Sequence, residues 1–202
     1  MITLPWQPND DKGNRRCWYF SQKDQTAKVY MQHGPQYLSW IQTLLDDFAP
    51  ELIIELGTLG GAFTLFLHEH CPEVRLHTFD CHKLKGPILN LFNHSKVTFH
   101  VGDLLTHGDK ELIAILRNNR NVRKFLYCDN GDKPKEAELY CDYLSVGDMI
   151  GFHDWDTEYR GFPVECMLKD KGFLPIIMNV GLVWFGEVFS RFFIREMKND
   201  SK

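Results

Sequence analysis

An acid and a glycine-rich turn give the first chemical signal in this sequence. The run ELIIEL (51–56) suits a strand buried on both faces, and GTLGG (57–61) follows it as a turn. Gly57 and Gly61 allow a tight turn and a close approach to a ligand, and the next helix offers free N–H groups at its start. Because ligands of open α/β sheets bind beyond the carboxyl ends of the strands, we expect a small molecule at this turn.

The turn favours a ligand other than a dinucleotide. A dinucleotide-binding turn normally reads GxGxxG, whereas Leu59 stands where the middle glycine would be. The carboxylate of Glu55, two residues before Gly57, would repel a pyrophosphate but suits an ammonium group. S-adenosylmethionine carries an ammonium, a sulfonium and ribose hydroxyls and no phosphate. The sequence therefore predicts this cofactor beside Glu55, Gly57, Thr58 and Gly61.

Two further acids follow the next two predicted strands. Asp80 ends the strand at 74–79, where its carboxylate can accept hydrogen bonds from both ribose hydroxyls. Asp103 follows the strand at 96–101 and would border the adenine. The simpler alternative is that Glu55 and Asp80 only cap strand ends, and that Asp103 belongs to an ordinary turn. Two acids at the ends of adjacent strands favour the cofactor interpretation.

A second polar group follows the fourth and fifth predicted strands. Asp129 follows the strand at 124–128, and His153 and Asp154 come at the end of the strand at 148–153. Neighbouring parallel strands bring these side chains to one edge of the sheet, where two carboxylates and water suit Mg²⁺. Such an ion would hold an acceptor hydroxyl and lower its pKa. The alternative is that the aspartates cap helices and His153 is a packing residue.

Methyl transfer by in-line displacement depends mostly on positioning, together with a group that takes the proton of the acceptor. His153, Lys133 and Asp132 are the candidates for that group. A histidine is the easiest of the three to poise near neutral pH. The residues alone leave the choice open.

An alternation of strand and helix patterns surrounds these residues. Apolar residues at helical spacing, or segments between strands, predict helices at 33–48, 62–70, 83–92, 109–119, 135–144 and 163–171. Strands are predicted at 51–56, 74–79, 96–101, 124–128 and 148–153, with an antiparallel hairpin of 173–178 and 182–189 at the end. This order predicts a Rossmann-like α/β fold: a mostly parallel seven-stranded sheet with helices on both faces and a C-terminal antiparallel β-hairpin.

The chain of 202 residues is long enough for one domain with a full core. Residues 1–32 show no clear period and are interpreted as an N-terminal arm that could contain one short helix. Residues 33–190 form the predicted S-adenosylmethionine-binding domain, and 191–202 a C-terminal tail.

Composition restricts the partners and the compartment. The formal charge is −4 and no basic block is interleaved with aromatics, which argues against nucleic acid. The longest apolar stretch, 173–189, is too interrupted by polar residues, Gly and Pro to span a membrane. Six cysteines without a CxxC pair, and no recognisable signal peptide, predict a reducing cytoplasm. The C-terminal aromatic residues favour the core or a homodimer interface: Trp184, Phe185, Phe189, Phe192 and Phe193.

Two segments carry a resemblance to a known family. PELIIELGTLGGAFTLFLHEH (50–70) resembles the first motif of class I S-adenosylmethionine-dependent methyltransferases, and it is most similar to the cephalosporin-hydroxylase-like and macrocin-like O-methyltransferase group. FLYCDNGD (125–132) and GDMIGFHDW (147–155) resemble the acidic fourth strand and the fifth strand of the same group. The resemblance extends over 33–190 as an order of motifs.

This resemblance implies an enzyme that transfers a methyl group to a hydroxyl of a small molecule or sugar. It places Glu55, Gly57 and Asp80 at cofactor-binding positions, and Asp129 and Asp154 at metal-ligand positions.

His153 stands where several relatives carry a further acid, and His is a poorer ligand than carboxylate for Mg²⁺. Two other functions stay open: an NAD-binding Rossmann oxidoreductase, and a methyltransferase-like binding subunit without turnover.

Overall fold

A computed structural model describes residues 6–8, 17–22, 24, 27–31, 33–106, 109–156, 158–176 and 190–197. Its first element is a small antiparallel sheet of three strands in the order β1-β2-β3: Trp6–Pro8, Cys17–Phe20 and Lys28–Met31. Within the described residues of the arm, the prediction of a short helix is therefore wrong, and strands are found instead. The reason is that the strands pair with one another, so cross-strand hydrogen bonds stabilise segments that show no period of their own.

The main body alternates strands and helices as the sequence predicts. Its helices are α1 Pro35–Phe48, α2 Ala62–His70, α3 Lys110–Asn118, α4 Lys133–Tyr140 and α5 Gly161–Asp170. Its strands are β4 Leu52–Leu56, β5 Arg75–Asp80, β6 Val97–Val101, β7 Lys124–Cys128, β8 Met149–Phe152, β9 Phe173–Pro175 and β10 Arg191–Arg195. In place of the helix predicted at 83–92, a 3-10 segment covers Pro87–Leu91, because Pro87 follows Gly86 and leaves room for little more than one turn.

The seven strands of the main sheet lie in the order β6-β5-β4-β7-β8-β10-β9. The five strands from β6 to β8 are parallel to their neighbours, and β10 runs antiparallel to both β8 and β9. This confirms the mostly parallel seven-stranded sheet with a C-terminal antiparallel hairpin. Because β4 lies between β5 and β7, the segments that follow these three strands meet at one edge.

Two apolar clusters cover the faces of the sheet. Ile53 packs with Leu38 of α1 and Phe66 of α2 in one cluster. Ile54 packs in the other with Leu112 of α3 and Leu168 of α5. Successive residues of β4 thus enter opposite clusters, as the period of a strand requires, and all five are buried. The predicted helices on both faces are confirmed.

The C-terminal part differs from the sequence prediction in its second strand. The segment predicted for that strand, 182–189, lies outside the described residues, and β9 pairs with Arg191–Arg195 instead. Phe192 and Phe193 are buried in the core, so these two aromatics are packing residues of this domain. The domain boundary predicted at residue 190 would therefore divide this sheet, because residues 191–195 form its strand β10. Within the described part of the chain, no helix has the length and apolar character needed to cross a membrane.

Candidate functional site

The turn after β4 joins three strands at one point. Gly57 has φ +106°, and its N–H donates to the carbonyl of Phe79 at 2.8 Å. A Cβ at this position would lie 2.5 Å from the carbonyl oxygen of Asp129. Only glycine fits both the backbone conformation and the space, because a side chain would meet backbone that cannot rotate away. Gly61, with φ +76°, then starts α2.

Glu55 lies beneath this turn and is almost fully buried. Its Oε2 accepts hydrogen bonds from the hydroxyls of Thr64 at 2.6 Å and Thr78 at 2.7 Å. The hydroxyl of Thr58 lies 2.5 Å from that of Thr78 and extends the network to the turn. Burial raises the pKa of Glu55 to about 7, against the two threonine hydrogen bonds that lower it. The structure therefore brings together the predicted residues Glu55, Gly57 and Thr58.

Asp80 ends β5 beside the same turn. Its Oδ2 accepts from the N–H of Leu59 at 2.8 Å, and its Oδ1 accepts from the N–H of His82 at 2.8 Å. The capping role that the sequence left open is thus present. A carboxylate has lone pairs beyond these two hydrogen bonds, so capping does not exclude a contact with a ligand.

A cavity of about 170 Å³ lies beside the turn, and Thr58, Leu84, Phe99 and Val101 are among its lining residues. Asp103 is not one of those residues. Its carboxylate accepts from the N–H groups of Leu105 and Thr106 at 2.9 and 3.1 Å and shapes the turn after β6. The adenine contact predicted for Asp103 stays a prediction, and the turn role is the one that its hydrogen bonds support.

The second polar group assembles at the neighbouring part of the same edge. His153 Nδ1 lies 3.1 Å from Asp129 Oδ1 and 2.8 Å from Asp154 Oδ2. Lys133, at the first position of α4, places its Nζ 3.9 Å from Asp129, 3.7 Å from Asp154 and 2.5 Å from Glu158. Four of the residues selected from the sequence therefore converge, and Glu158 joins them.

Asp132 is the one candidate base that lies apart from this group. It is the N-cap of α4, is exposed, and accepts from the N–H of Lys135 at 3.1 Å. The hydrogen bond to the N–H of Lys135 gives Asp132 the structural role of a helix cap.

His33 is, with Glu158, a residue of this edge that sequence reasoning missed. It lies just before α1, and its Nε2 is 3.5 Å from Asp129 Oδ2. Its ring is 4.5 Å from that of Phe63 and 4.6 Å from that of His153, measured between centroids. The sequence shows only a lone histidine ahead of a Pro-initiated helix, and no spacing connects it with Asp129. Only the packing of α1 against the sheet creates the contact.

The charges of the group set its protonation. Burial disfavours the charged form of His153, but Asp129 and Asp154 outweigh it and raise its pKa to about 10. Burial likewise opposes ionisation of Asp129, yet His153 and His33 hold its pKa below the ordinary value. Burial also acts against the charge of Lys133, and Glu158, Asp129 and Asp154 raise its pKa nonetheless. Without another ligand, His153 and Lys133 are cations at neutral pH.

Burial instead lowers the pKa of His33, so this imidazole is neutral at pH 7. The ligand atoms of His33, Asp129 and His153 all lie within 4.8 Å of one another, which makes the three residues a candidate metal site. A second group of that kind, Asp80, Cys81 and His82, is largely exposed.

No protein-family model and no curated protein sequence matches the chain. Solved structures do match its fold. One titled CmcI-N160 apo-structure has a TM-score of 0.61 at 13% identity, over 84% of this chain and 74% of that one. The O-methyltransferase TomG from Streptomyces achromogenes, in complex with SAM, has a TM-score of 0.56 at 15% identity, over 80% of each chain.

A third structure, titled cmcI-D160 Mg-SAM, has a TM-score of 0.57 at 14% identity, over 81% of this chain and 74% of that one. These TM-scores show that the chain is similar to these proteins in fold. Sequence identities of 13 to 15% carry no residue assignments, so the chemistry depends on the site itself.

Proposed function

We propose that this protein is an S-adenosylmethionine-dependent methyltransferase that acts on a hydroxyl of a small molecule or sugar. The observation that carries the proposal is the buried carboxylate of Glu55 beneath the Gly57 turn, with Asp80 at the end of the adjacent strand. The fold neighbours titled with SAM and with Mg-SAM support it by analogy.

Each part of the cofactor has a matching group at this edge. The ammonium group is assigned to Glu55, whose buried carboxylate accepts from threonine hydroxyls and forms no ion pair among the described residues. The ribose is assigned to Asp80, and the adenine to the cavity beside Phe99 and Val101. The turn residues Gly57, Thr58 and Gly61 would lie along the methionine part.

The same arrangement disfavours NAD. A pyrophosphate against this turn would approach the carboxylate of Glu55, and the residue at the middle position is Leu59, whose side chain is 68% exposed. A non-catalytic binding subunit would keep the cofactor pocket but would need no group of charged residues at the acceptor edge. The convergence of Asp129, Lys133 and His153 therefore favours an enzyme.

The acceptor is assigned to the edge formed by Asp129, Lys133, His153 and Asp154. The oxygens of Asp129 and Asp154 lie 3.1 and 2.8 Å from the same nitrogen of His153, so two carboxylates and an imidazole are gathered where a divalent cation would bind. When bound, the cation would act as a Lewis acid that orients the acceptor oxygen and lowers its pKa.

The geometry also sorts the candidate bases. Lys133 holds its proton at neutral pH between Glu158 and the two aspartates, so we assign it to charge stabilisation and positioning of the acceptor. His153 holds a proton in the metal-free state and is a ligand candidate when a cation is present. The proton of the acceptor would then leave to solvent from a hydroxyl whose pKa these charges lower.

Two further expectations, a cytoplasmic location and a homodimer, stay part of the proposal. The five cysteines whose side chains are described, Cys71, Cys81, Cys128, Cys141 and Cys166, are free thiols, which supports a reducing compartment such as the cytoplasm. A homodimer is the second, although Phe192 and Phe193 belong to the core and do not contribute an interface.

Calorimetric titration of S-adenosylhomocysteine into the purified protein tests the cofactor site. We expect micromolar binding that Glu55→Gln weakens at least tenfold. Glu73→Gln is the matched control, because Glu73 has a side chain that is 88% exposed and pairs with Lys96 on the surface. Binding of NADH without binding of S-adenosylhomocysteine would overturn the proposal in favour of the oxidoreductase.

A further inference from the structure

Three ligand atoms converge where the N-terminal segment meets the sheet. The donor atoms of His33, Asp129 and His153 lie within 4.8 Å of one another. A metal ion with bonds of about 2.1 Å holds opposite donors about 4.2 Å apart and tetrahedral neighbours about 3.4 Å apart, so a separation near the 4.8 Å limit would have to contract by about 0.6 or about 1.4 Å on binding. The His33–Asp129 contact of 3.5 Å is already close to the edge of about 3.4 Å expected in a tetrahedral sphere.

The two nitrogens of His153 have different surroundings. Its Nδ1 lies 2.8 Å from Asp154 and 3.1 Å from Asp129, and these two carboxylates fix the orientation of the ring. Its Nε2 is buried and has no hydrogen-bond partner among the described residues. A buried nitrogen without a partner costs free energy unless something binds it, so this side chain is itself evidence for a ligand.

The donor types distinguish between metals. Mg²⁺ prefers a nearly complete shell of oxygen ligands, whereas two of the three donors here are imidazole nitrogens. Lys133 reduces the oxygen supply further, because its ammonium lies within 4 Å of both Asp129 and Asp154. The oxygens that could replace water around Mg²⁺ are thus already shared with a cation.

We propose that His33, Asp129 and His153 bind a divalent first-row transition metal, from Mn²⁺ to Zn²⁺, in preference to Mg²⁺. This deepens the proposed function, on which the catalytic use of the metal rests, while the binding itself does not depend on it. His33 lies between β3 and α1, so the metal would also link the segment that carries the small sheet to the main sheet.

Cobalt is the probe for this site, because Co²⁺ bound by nitrogen gives a visible absorption spectrum. The exposed group of Asp80, Cys81 and His82 would compete for Co²⁺, so every titration is made in a Cys81→Ser background. We expect one equivalent of Co²⁺ to bind at least about a hundred times more tightly than Mg²⁺. We expect His33→Gln to weaken Co²⁺ binding at least about tenfold.

His94→Gln is the matched control, since it removes an exposed imidazole that lies away from the site and should leave the Co²⁺ affinity unchanged. Circular dichroism checks that each variant is folded. If His33→Gln fails to fold, Asp129→Asn keeps the shape of the side chain and replaces it in the test. Displacement of Co²⁺ by an equal concentration of Mg²⁺, or an unchanged affinity in the folded variant, would overturn the proposal.

S-adenosylhomocysteine is titrated separately into the same proteins. Co²⁺ binding without S-adenosylhomocysteine binding would leave the metal site standing and would count against the methyltransferase alone. The opposite result would count against the metal site alone.

Discussion

The two halves of the site share one sheet edge but are built in opposite ways. In the cofactor half, the more deeply buried acid, Glu55, is surrounded by threonine hydroxyls and has no cation among its hydrogen-bond partners in the described part of the chain. In the acceptor half, Asp129 and Asp154 are interleaved with Lys133 and His153 at distances of 2.8 to 3.9 Å. The first half holds a carboxyl group without a cationic partner, and a cationic ligand would favour its ionised form. The second is already paired without any ligand.

This difference has a consequence for stability. An ionised buried carboxylate without a partner costs free energy in the unliganded protein, whereas in a paired group the attraction between opposite charges offsets much of that cost. Ligand binding should therefore stabilise the cofactor half strongly. Four substitutions test the contrast, ordered by their expected effect on the affinity for S-adenosylhomocysteine.

Gly57→Ala should have the largest effect. The alanine would adopt φ +106° and place its Cβ 2.5 Å from the carbonyl of Asp129, so the ends of β4 and β7 would have to separate. We expect a loss of about 3 kcal/mol or more in the free energy of unfolding and no measurable cofactor binding. Urea unfolding and calorimetry measure the two quantities. Gly60→Ala is the control, because a Cβ there would have no described atom within 4 Å, and a similar loss there would contradict this explanation.

Glu55→Gln should weaken binding about tenfold to a hundredfold, because it removes the charge that meets the ammonium. The same change should stabilise the unliganded protein at pH 8. Burial raises the pKa of Glu55 from 4.5 to about 7, so the unfolded chain releases this proton first as the pH rises. The native protein therefore loses stability from pH 4.5 to 7, and the cost persists above pH 7.

We accordingly expect Glu55→Gln to raise the free energy of unfolding by about 1–3 kcal/mol at pH 8 and to change it little at pH 4. Thermal unfolding at both pH values measures this. A variant that is less stable than the wild type at pH 8 would show that the carboxylate already has a cationic partner.

Asp80→Asn should weaken binding about tenfold while retaining the fold. The asparagine keeps one oxygen for the N–H of Leu59 or His82 but loses the second acceptor and the charge. Calorimetry with S-adenosylhomocysteine and with its 2′-deoxy analogue separates the ribose contact from the capping role. If Asp80→Asn weakens the binding of both ligands by the same factor, Asp80 is a cap and not a ribose ligand.

Lys133→Met should leave the cofactor affinity within about threefold, since Lys133 belongs to the other half. It removes a buried cation from three carboxylates, so we expect a loss of about 1–3 kcal/mol in the free energy of unfolding. Lys135→Met is the control on the same helix, where the ammonium pairs with Glu138 on the surface. A large loss of cofactor affinity in Lys133→Met would show that the halves are coupled.

The cofactor half could be predicted from the sequence because its residues lie close to one another in the chain or at the ends of adjacent strands. Glu55 and Gly57 lie within one strand and turn, and the regular alternation of strands and helices then indicates that Asp80 ends the adjacent strand. The parallel sheet follows from the same alternation. The acceptor strands were readable for the same reason, which is why the sequence predicts Asp129 and Asp154 as neighbours.

Contacts between distant segments could not be read in this way. His33 reaches Asp129 only through the packing of α1, and Glu158 reaches Lys133 from the segment before α5. The strand Arg191–Arg195 was not predicted, and the predicted strand at 182–189 lies outside the described residues. Pairing with β8 and β9 places Arg191–Arg195 in the sheet, and a single sequence does not show which segment pairs.

That last strand has a consequence for synthesis on the ribosome. The strands β4 to β8 are synthesised in this order, and each can pair with an earlier strand as it leaves the ribosome. By contrast, β9 joins the sheet only through β10. Until residues 191–195 have left the exit tunnel, β8 presents an open edge of unpaired backbone groups beside the nascent site. Translation that stalls before this point would thus expose a template for pairing between chains during that interval.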